Sequence, residues 1–419
     1  MSLSAMVSKR WMWLCGALSG TMLLGAACGA PEGEAEAPAT VEHAQPLGTC
    51  TPSTSGTTIC GVVTNAAGVP LAGATVNVGP AWGVSAADGS FSVTAPVPMG
   101  TQVTIDIPGY MPYVGAVTRN VLGARFVLHS LHRQTFSASG VVTVTDPRNG
   151  ASIQVNLSAL QSATGEQVQG PLTVGVRHID TGLLAMPGTD GAVNLGGQQV
   201  FLESRGAIYT EVRDRGGQIL KLAPGATARV FIPLTRDQLN TAPTSIAFWS
   251  MPVGSNLWRQ QPSNGTRAPN PVQCNNRETA SCNADDCARI SGSGFSANTN
   301  EIGFINADIE KTNPACLRID VNVASLPPGT TLPICLELEI PLPTGGSQTR
   351  NICVGGGTDV LFNLPSNANI VVRQAQGNGC PAPPPGGSVT VNTGAPWGGT
   401  GVPASPGQCN GVLTLPPLP

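Results

Sequence analysis

Lysine is almost missing from this 419-residue chain: Lys9, Lys221 and Lys311 are the only ones. Charged residues of both signs make up 11% and the formal net charge is −3. No basic stripe exists to neutralise phosphates, so a nucleic-acid partner is not expected. Aromatics are scarce too, at 4%. There is no H-E-x-x-H, no G-x-S-x-G and no glycine-rich loop leading into a helix. The usual signatures of zinc proteases, serine hydrolases and nucleotide-binding enzymes are therefore lacking. No long stretch carries the apolar period of an amphipathic helix.

Glycine (52) and proline (37) are abundant instead. They punctuate many short runs in which apolar and polar residues alternate, which indicates all-β modules rather than disorder. A chain of this length has room for about two to four domains. The preference for Arg over Lys, with much Ala, Gly and Pro, suits a GC-rich bacterial genome.

The N-terminus reads as a targeting signal over residues 1–27. Lys9 and Arg10 precede an apolar run from Trp11 to Ala27, short of the roughly 20 apolar residues of a membrane span. Its end, Leu24-Gly-Ala-Ala-Cys28, resembles the lipobox of bacterial lipoproteins, although Leu24 lies one place further from the cysteine than usual. The resemblance implies lipidation at Cys28. Removing residues 1–27 takes Lys9 and Arg10 and no acid, shifting the net charge from −3 to −5. Residues 28–49, rich in Pro, Ala and Glu, read as a flexible acidic tether with a reach of roughly 25 Å.

Residues 50–133 show the clearest strand pattern. Ala74, Val76 and Val78 oppose Thr75 and Asn77; Phe91 and Val93 oppose Ser90 and Ser92; Val103, Ile105 and Ile107 oppose Gln102, Thr104 and Asp106. Gly68, Gly73 and Asp88-Gly89 supply the turns. These strands must bury one face on a second sheet, so a small β-sandwich is expected. The spacing over Thr58 to His132 resembles the carboxypeptidase regulatory-like, transthyretin-like domain. That resemblance implies binding or scaffolding and brings no catalytic residues.

The pattern restarts over residues 134–261. Ile153, Val155 and Leu157 form one inward set, and Leu172, Val174 and Val176 another. Gly150-Ala-Ser-Ile-Gln-Val, Glu211-Val-Arg-Asp-Arg-Gly-Gly, Leu222-Ala-Pro-Gly-Ala-Thr-Ala and the pair Trp249 and Trp258 are similar to the domain that follows the regulatory-like sandwich in cartilage intermediate layer proteins and related bacterial lipoproteins. Arg205-Gly206 departs from that pattern.

Residues 262–273 read as a linker opening a cysteine-rich β-domain over 262–379, with a Pro/Gly-rich, irregular segment over 380–419. Export makes disulfides the default for Cys274, Cys282, Cys287, Cys316, Cys335, Cys353, Cys380 and Cys409, together with Cys50 and Cys60. Cys50 and Cys60 flank a short Thr/Ser/Gly hairpin and are expected to pair. Alternation places Cys316, Cys335 and Cys353 on the polar side of their strands, where two of the three could bridge. Cys380 and Cys409 are candidates for folding the end back. The segment from Phe304 to Ile319 resembles the tail of the same lipoprotein architecture.

No metal or cofactor is expected. Cys274, Cys282 and Cys287 lack a C-x-x-C knuckle and a neighbouring histidine for zinc. Asn275, Asn276, Glu278, Asn283, Asp285 and Asp286 offer oxygens for calcium but match no EF-hand, and a solvated turn is the plainer reading. Trp82 and Trp397 fall in predicted loops, where a ring either stacks on a ligand or caps a sandwich. The resulting expectation is tandem β-sandwiches on a lipid tether in the bacterial envelope, at the outer membrane or cell surface. Such a protein would not be an enzyme and would act in adhesion, scaffolding or ligand binding, with a glycan or envelope protein as ligand. The alternatives are a carbohydrate-binding surface protein and an envelope hydrolase or its accessory subunit.

Overall fold

The computed structural model describes residues 50–415 apart from 52, 54–55, 97–100, 118–120, 138, 169, 182–183, 185–186, 189–191, 241, 253, 256, 273–289, 312–313, 323–333, 342–346, 355–356, 375–386 and 397–408. The expected signal and tether with Cys28, and Cys274, Cys282, Cys287, Cys380 and Trp397, lie outside the described residues. The structure is nearly all β. Three apolar cores organise it, each with its own set of strands.

The first module contains β1 (Thr57–Asn65), β2 (Thr75–Val78), β3 (Ala81–Val84), β4 (Ser90–Ala95), β5 (Thr101–Asp106), β6 (Tyr113–Val117) and β7 (Val121–Leu128). They form two sheets, β4-β1-β7 and β3-β2-β5-β6, with β1 antiparallel to β4 and parallel to β7. The inward residues of the alternating runs meet between them: Ile59, Val63 and Phe126 from one sheet face Val76, Val78, Val103 and Ile105 from the other. Gly89 turns the chain into β4 with φ of 74°, while the Asp88 carboxylate accepts from the Ser90 amide at 3.0 Å. Gly61 lies where β1 shifts register against β7, and a Cβ there would sit 1.9 Å from the Ala124 carbonyl oxygen. A disulfide joins Cys50 to Cys60, with Cα atoms 6.3 Å apart.

The second module contains β8 (His132–Phe136), β9 (Val141–Thr145), β10 (Ser152–Asn156), β11 (Leu160–Gln161), β12 (Leu172–Ile179), β13 (Ala192–Val193), β14 (Gln199–Arg213) and β15 (Lys221–Leu222). It continues with β16 (Ala228–Thr235), β17 (Ser245–Met251), β18 (Trp258–Pro269), β19 (Ile290–Thr299) and β20 (Phe304–Lys311). The long strands form one sheet in the order β8-β12-β14-β20-β17-β18-β19-β16-β10-β9. It curls over on itself: Val144, Ile153, Val174, Ile208, Val230, Phe248, Phe295 and Ile305, drawn from across that order, share one core.

This sheet differs from the expected boundary after Gln261. β18 runs through Gln261 to Pro269, so much of the expected linker is strand, and β19 and β20 also belong to the second module. The misleading feature is Gly265. Its missing side chain leaves room for the Phe248 ring, whose Cε2 lies 2.1 Å from where a Cβ would be. The rest of Pro262 to Pro269 carries no large apolar side chain either, so that stretch shows no alternation.

The third module contains β21 (Pro314–Val321), β22 (Ile334–Pro341), β23 (Ser347–Val354), β24 (Gly357–Pro365), β25 (Asn369–Gln374), β26 (Ser388–Asn392) and β27 (Gly411–Leu415). Its sheets are β24-β21-β27 and β23-β22-β25-β26, and β21 is antiparallel to β24 and parallel to β27. Strand for strand, this is the topology of the first module. The segment expected to be irregular after residue 380 therefore supplies the last two strands of a sandwich.

The cysteines correct a second expectation. Cys316 is fully buried and bonded to Cys409, with Cα atoms 5.0 Å apart, not placed on a polar face. A register shift between Ala315 and Leu317 resets the alternation at that residue. Cys409 is thus taken by Cys316 and not by Cys380. The backbone register sets Cys335 directly opposite Cys353.

Candidate functional site

The outer face of sheet β3-β2-β5-β6 is divided between a covered and an open half. At the covered half, Val114 of β6 is buried in an apolar cluster with Tyr209, Trp249, Met251 and Phe304 of the second module. Beside it, Arg213 Nη2 donates to Asp106 Oδ1 at 2.7 Å and Nε donates to Glu211 Oε2 at 2.8 Å. The third donor, Nη1, reaches the Gly217 carbonyl at 3.0 Å, and the Tyr209 hydroxyl donates to Glu211 Oε2 at 3.2 Å.

Burial pushes the Glu211 carboxyl up, against the pull of Arg213, and pushes the Tyr209 phenol well up. Shifted groups mark active sites, but they also mark structural ion-pair networks. Here the guanidinium is spread over three acceptors, two of them carboxylates on different modules, which is the geometry of a brace. His129 lies nearby with Arg177 Nη2 at 3.5 Å from its Nδ1; burial, then the Arg177 charge, lowers its pKa to about 4. The imidazole is neutral at physiological pH.

A second polar group is buried within the large sheet. Glu203 and Arg205, both without solvent exposure, form an ion pair. The Ser204 hydroxyl donates to Asn306 Oδ1 at 2.8 Å. Asp308, opposite Ser204 in register, is fully buried, and neither carboxylate oxygen has a hydrogen-bond partner among the described residues. Burial holds its pKa well above the usual carboxylate range; nearby Ser204 opposes this but spends its hydrogen on Asn306.

The open half is carried by β2 and β3. Gly79-Pro80 makes a tight turn, with Gly79 at φ of 55°, and sends Trp82 onto β3 rather than into a loop. Trp82 is 69% exposed and Val84, on the same face, is 52% exposed. Trp82 pairs with Asn77, Asn77 with Thr104 and Thr104 with Val114, so one row crosses from the open half to the module interface. Asn77 Nδ2 donates to Thr104 Oγ1 at 3.1 Å. The next row is Val84, Thr75 and Asp106.

The sequence singled out Trp82 and set Asn77 and Thr104 on the polar side of their strands, but with Trp82 expected in a loop it did not join the three in one row. Trp249 and Trp258 are core residues. Among the described residues, no group of three His, Cys, Asp or Glu side chains is arranged to hold a metal. Nor, among them, is any helix long and apolar enough to cross a membrane.

No family model matches the chain, and no curated protein does. Among solved structures, it is similar to a Bacteroides fragilis protein of unknown function thought to be membrane-associated, at 9% identity over 61% of this chain and 98% of that one. The TM-score is 0.16, a likeness too slight to bear on fold or function.

Proposed function

We propose that this chain is a lipid-anchored protein of the bacterial cell envelope that acts by binding and performs no chemistry. The observation that carries the reading is the division of its polar groups. The shifted groups Glu211 and Tyr209 belong to the brace between modules and His129 contacts Arg177, whereas the open sheet face offers an aromatic ring and uncharged amide and hydroxyl groups. Acid–base catalysis needs a titratable group within reach of a substrate proton. Recognition needs what the open face has.

The sequence supports the anchor through Leu24-Gly-Ala-Ala-Cys28 and the acidic stretch after it. The first module's strand pattern and its two-sheet topology fit a carboxypeptidase regulatory-like sandwich, a fold that hosts scaffolding and binding. Fold alone does not choose the ligand. Palmitate labelling in a bacterial host tests the anchor: the full chain should incorporate label and fractionate with membranes, and Cys28→Ala should do neither. Label retained by Cys28→Ala would overturn it.

A further inference from the structure

We propose that the open half of the β3-β2-β5-β6 face is a platform for an uncharged saccharide, with the Trp82 indole as the stacking ring. This rests on reading the chain as a binding protein and names the ligand class.

The fold does not require an aromatic ring here. In the third module, which has the same topology, an outward row of the matching sheet is Thr349, Glu339 and Val371. Thr349 is buried, and Arg373 bridges Glu339 at 2.6 Å and Glu337 at 3.4 Å. That face carries exposed paired charges instead of a ring. The first module instead leaves Trp82 and Val84 in water on an edge strand, an arrangement that promotes aggregation unless something covers it.

The geometry also selects how an occupant approaches. β3 leans on the other sheet: a Cβ on Gly83 would lie 2.9 Å from Val93 Cγ2. That contact sets the side of β3 opposite Trp82 and Val84 against the second sheet, so a ligand meets those two side chains on the outer face. On that face Trp82 and Val84 are flanked by Thr75, Asn77 and Thr104, none of them ionisable, and the first charge reached, Asp106, is tied to Arg213. After its bond to Thr104, Asn77 keeps its amide oxygen and second N–H without partners among the described residues. The strip is continuous with the module interface at Val114, so the second module borders it at one end. A pyranose ring matches this surface, with an apolar C–H face for the indole and hydroxyls around its rim for the amide and threonines.

The test is calorimetry of the full chain, in a zwitterionic detergent without a sugar headgroup, against cellohexaose, mannohexaose and chitohexaose. Hexagalacturonate and an unstructured hexapeptide serve as charged and peptide comparators. At least one neutral hexasaccharide should bind. Trp82→Ala should weaken it tenfold or more and Asn77→Ala severalfold, with Trp82→Phe between wild type and Trp82→Ala. Because the ring is exposed, the Tm of Trp82→Ala should equal that of wild type. Binding of the peptide or the polyuronate alone, binding indifferent to Trp82→Ala, or no binding by any neutral hexasaccharide would overturn the proposal and leave the broader binding reading standing. Conversion of a hexasaccharide to shorter products would instead overturn the broader reading.

Discussion

Arg213 Nη2 meets Asp106 Oδ1 at 2.7 Å, across 107 residues of sequence and between two modules. The Arg213 side chain is 7% exposed and that of Glu211 only 2%, whereas Asp106 is 25% exposed. Removing the guanidinium strands a buried carboxylate, so Arg213→Met should cost about 3–5 kcal/mol. Removing the more exposed partner, Asp106→Ala, should cost about 1 kcal/mol or less, since water screens that end of the pair. Urea denaturation of both variants checks the order. Equal costs would mean that Glu211 does not depend on Arg213.

Asp308 sets a pH dependence. Its pKa is raised from the ordinary 3.8 by burial, so the folded state holds the proton more tightly than the unfolded state. Its contribution is complete below that ordinary value and is lost as pH rises through it towards the raised one. Glu211, also raised, acts in the same direction. Asp308→Asn should flatten the fall in stability between pH 4 and 8 and gain about 1 kcal/mol or more at pH 8, the scale of an unsatisfied buried polar group. Denaturation midpoints across that range provide the measurement; an unchanged slope would show that Asp308 does not titrate with folding.

The bond between Cys316 and Cys409 spans 93 residues and ties the last strand to the first strand of the third module. By chain entropy, closing a loop of that length contributes about 4–5 kcal/mol. Cys316→Ser should lower the stability of the third module by that order and expose Gly411–Leu415 to protease, while leaving the first module's proteolytic pattern unchanged. Protection of that strand in the variant would show that pairing with β21 suffices to hold it.

Gly61→Val should destabilise the first module. The added side chain meets the Ala124 backbone carbonyl, which cannot swing away as a side chain can. A loss of about 2 kcal/mol or more in thermal or urea melts is expected, and a neutral outcome would mean that the β1–β7 register can slide.

Much of this architecture was legible where alternation was long enough. Val76 and Val78, Val103 and Ile105, and Leu172 to Val176 all face cores as their spacing requires. Legibility failed where one residue broke the period. Cys316 sits at a register shift, Gly265 yields its place to the Phe248 ring, and Trp82 follows a two-residue turn into a strand of four. The shared topology of the first and third modules left no recognisable sequence trace, because a sandwich interior asks only for apolar residues at alternate positions. The brace was hidden for another reason: Asp106 and Arg213 are ordinary polar residues until the modules meet.

A binding protein of this kind holds its ligand without changing it. The most direct measurement is mass spectrometry of cellohexaose, mannohexaose and chitohexaose after prolonged incubation with the full chain, read beside quenching of the exposed Trp82 by iodide. At least one sugar should shield Trp82 from iodide while every sugar is recovered at its original mass. Shortened or chemically altered sugar, appearing in proportion to the protein added, would contradict it.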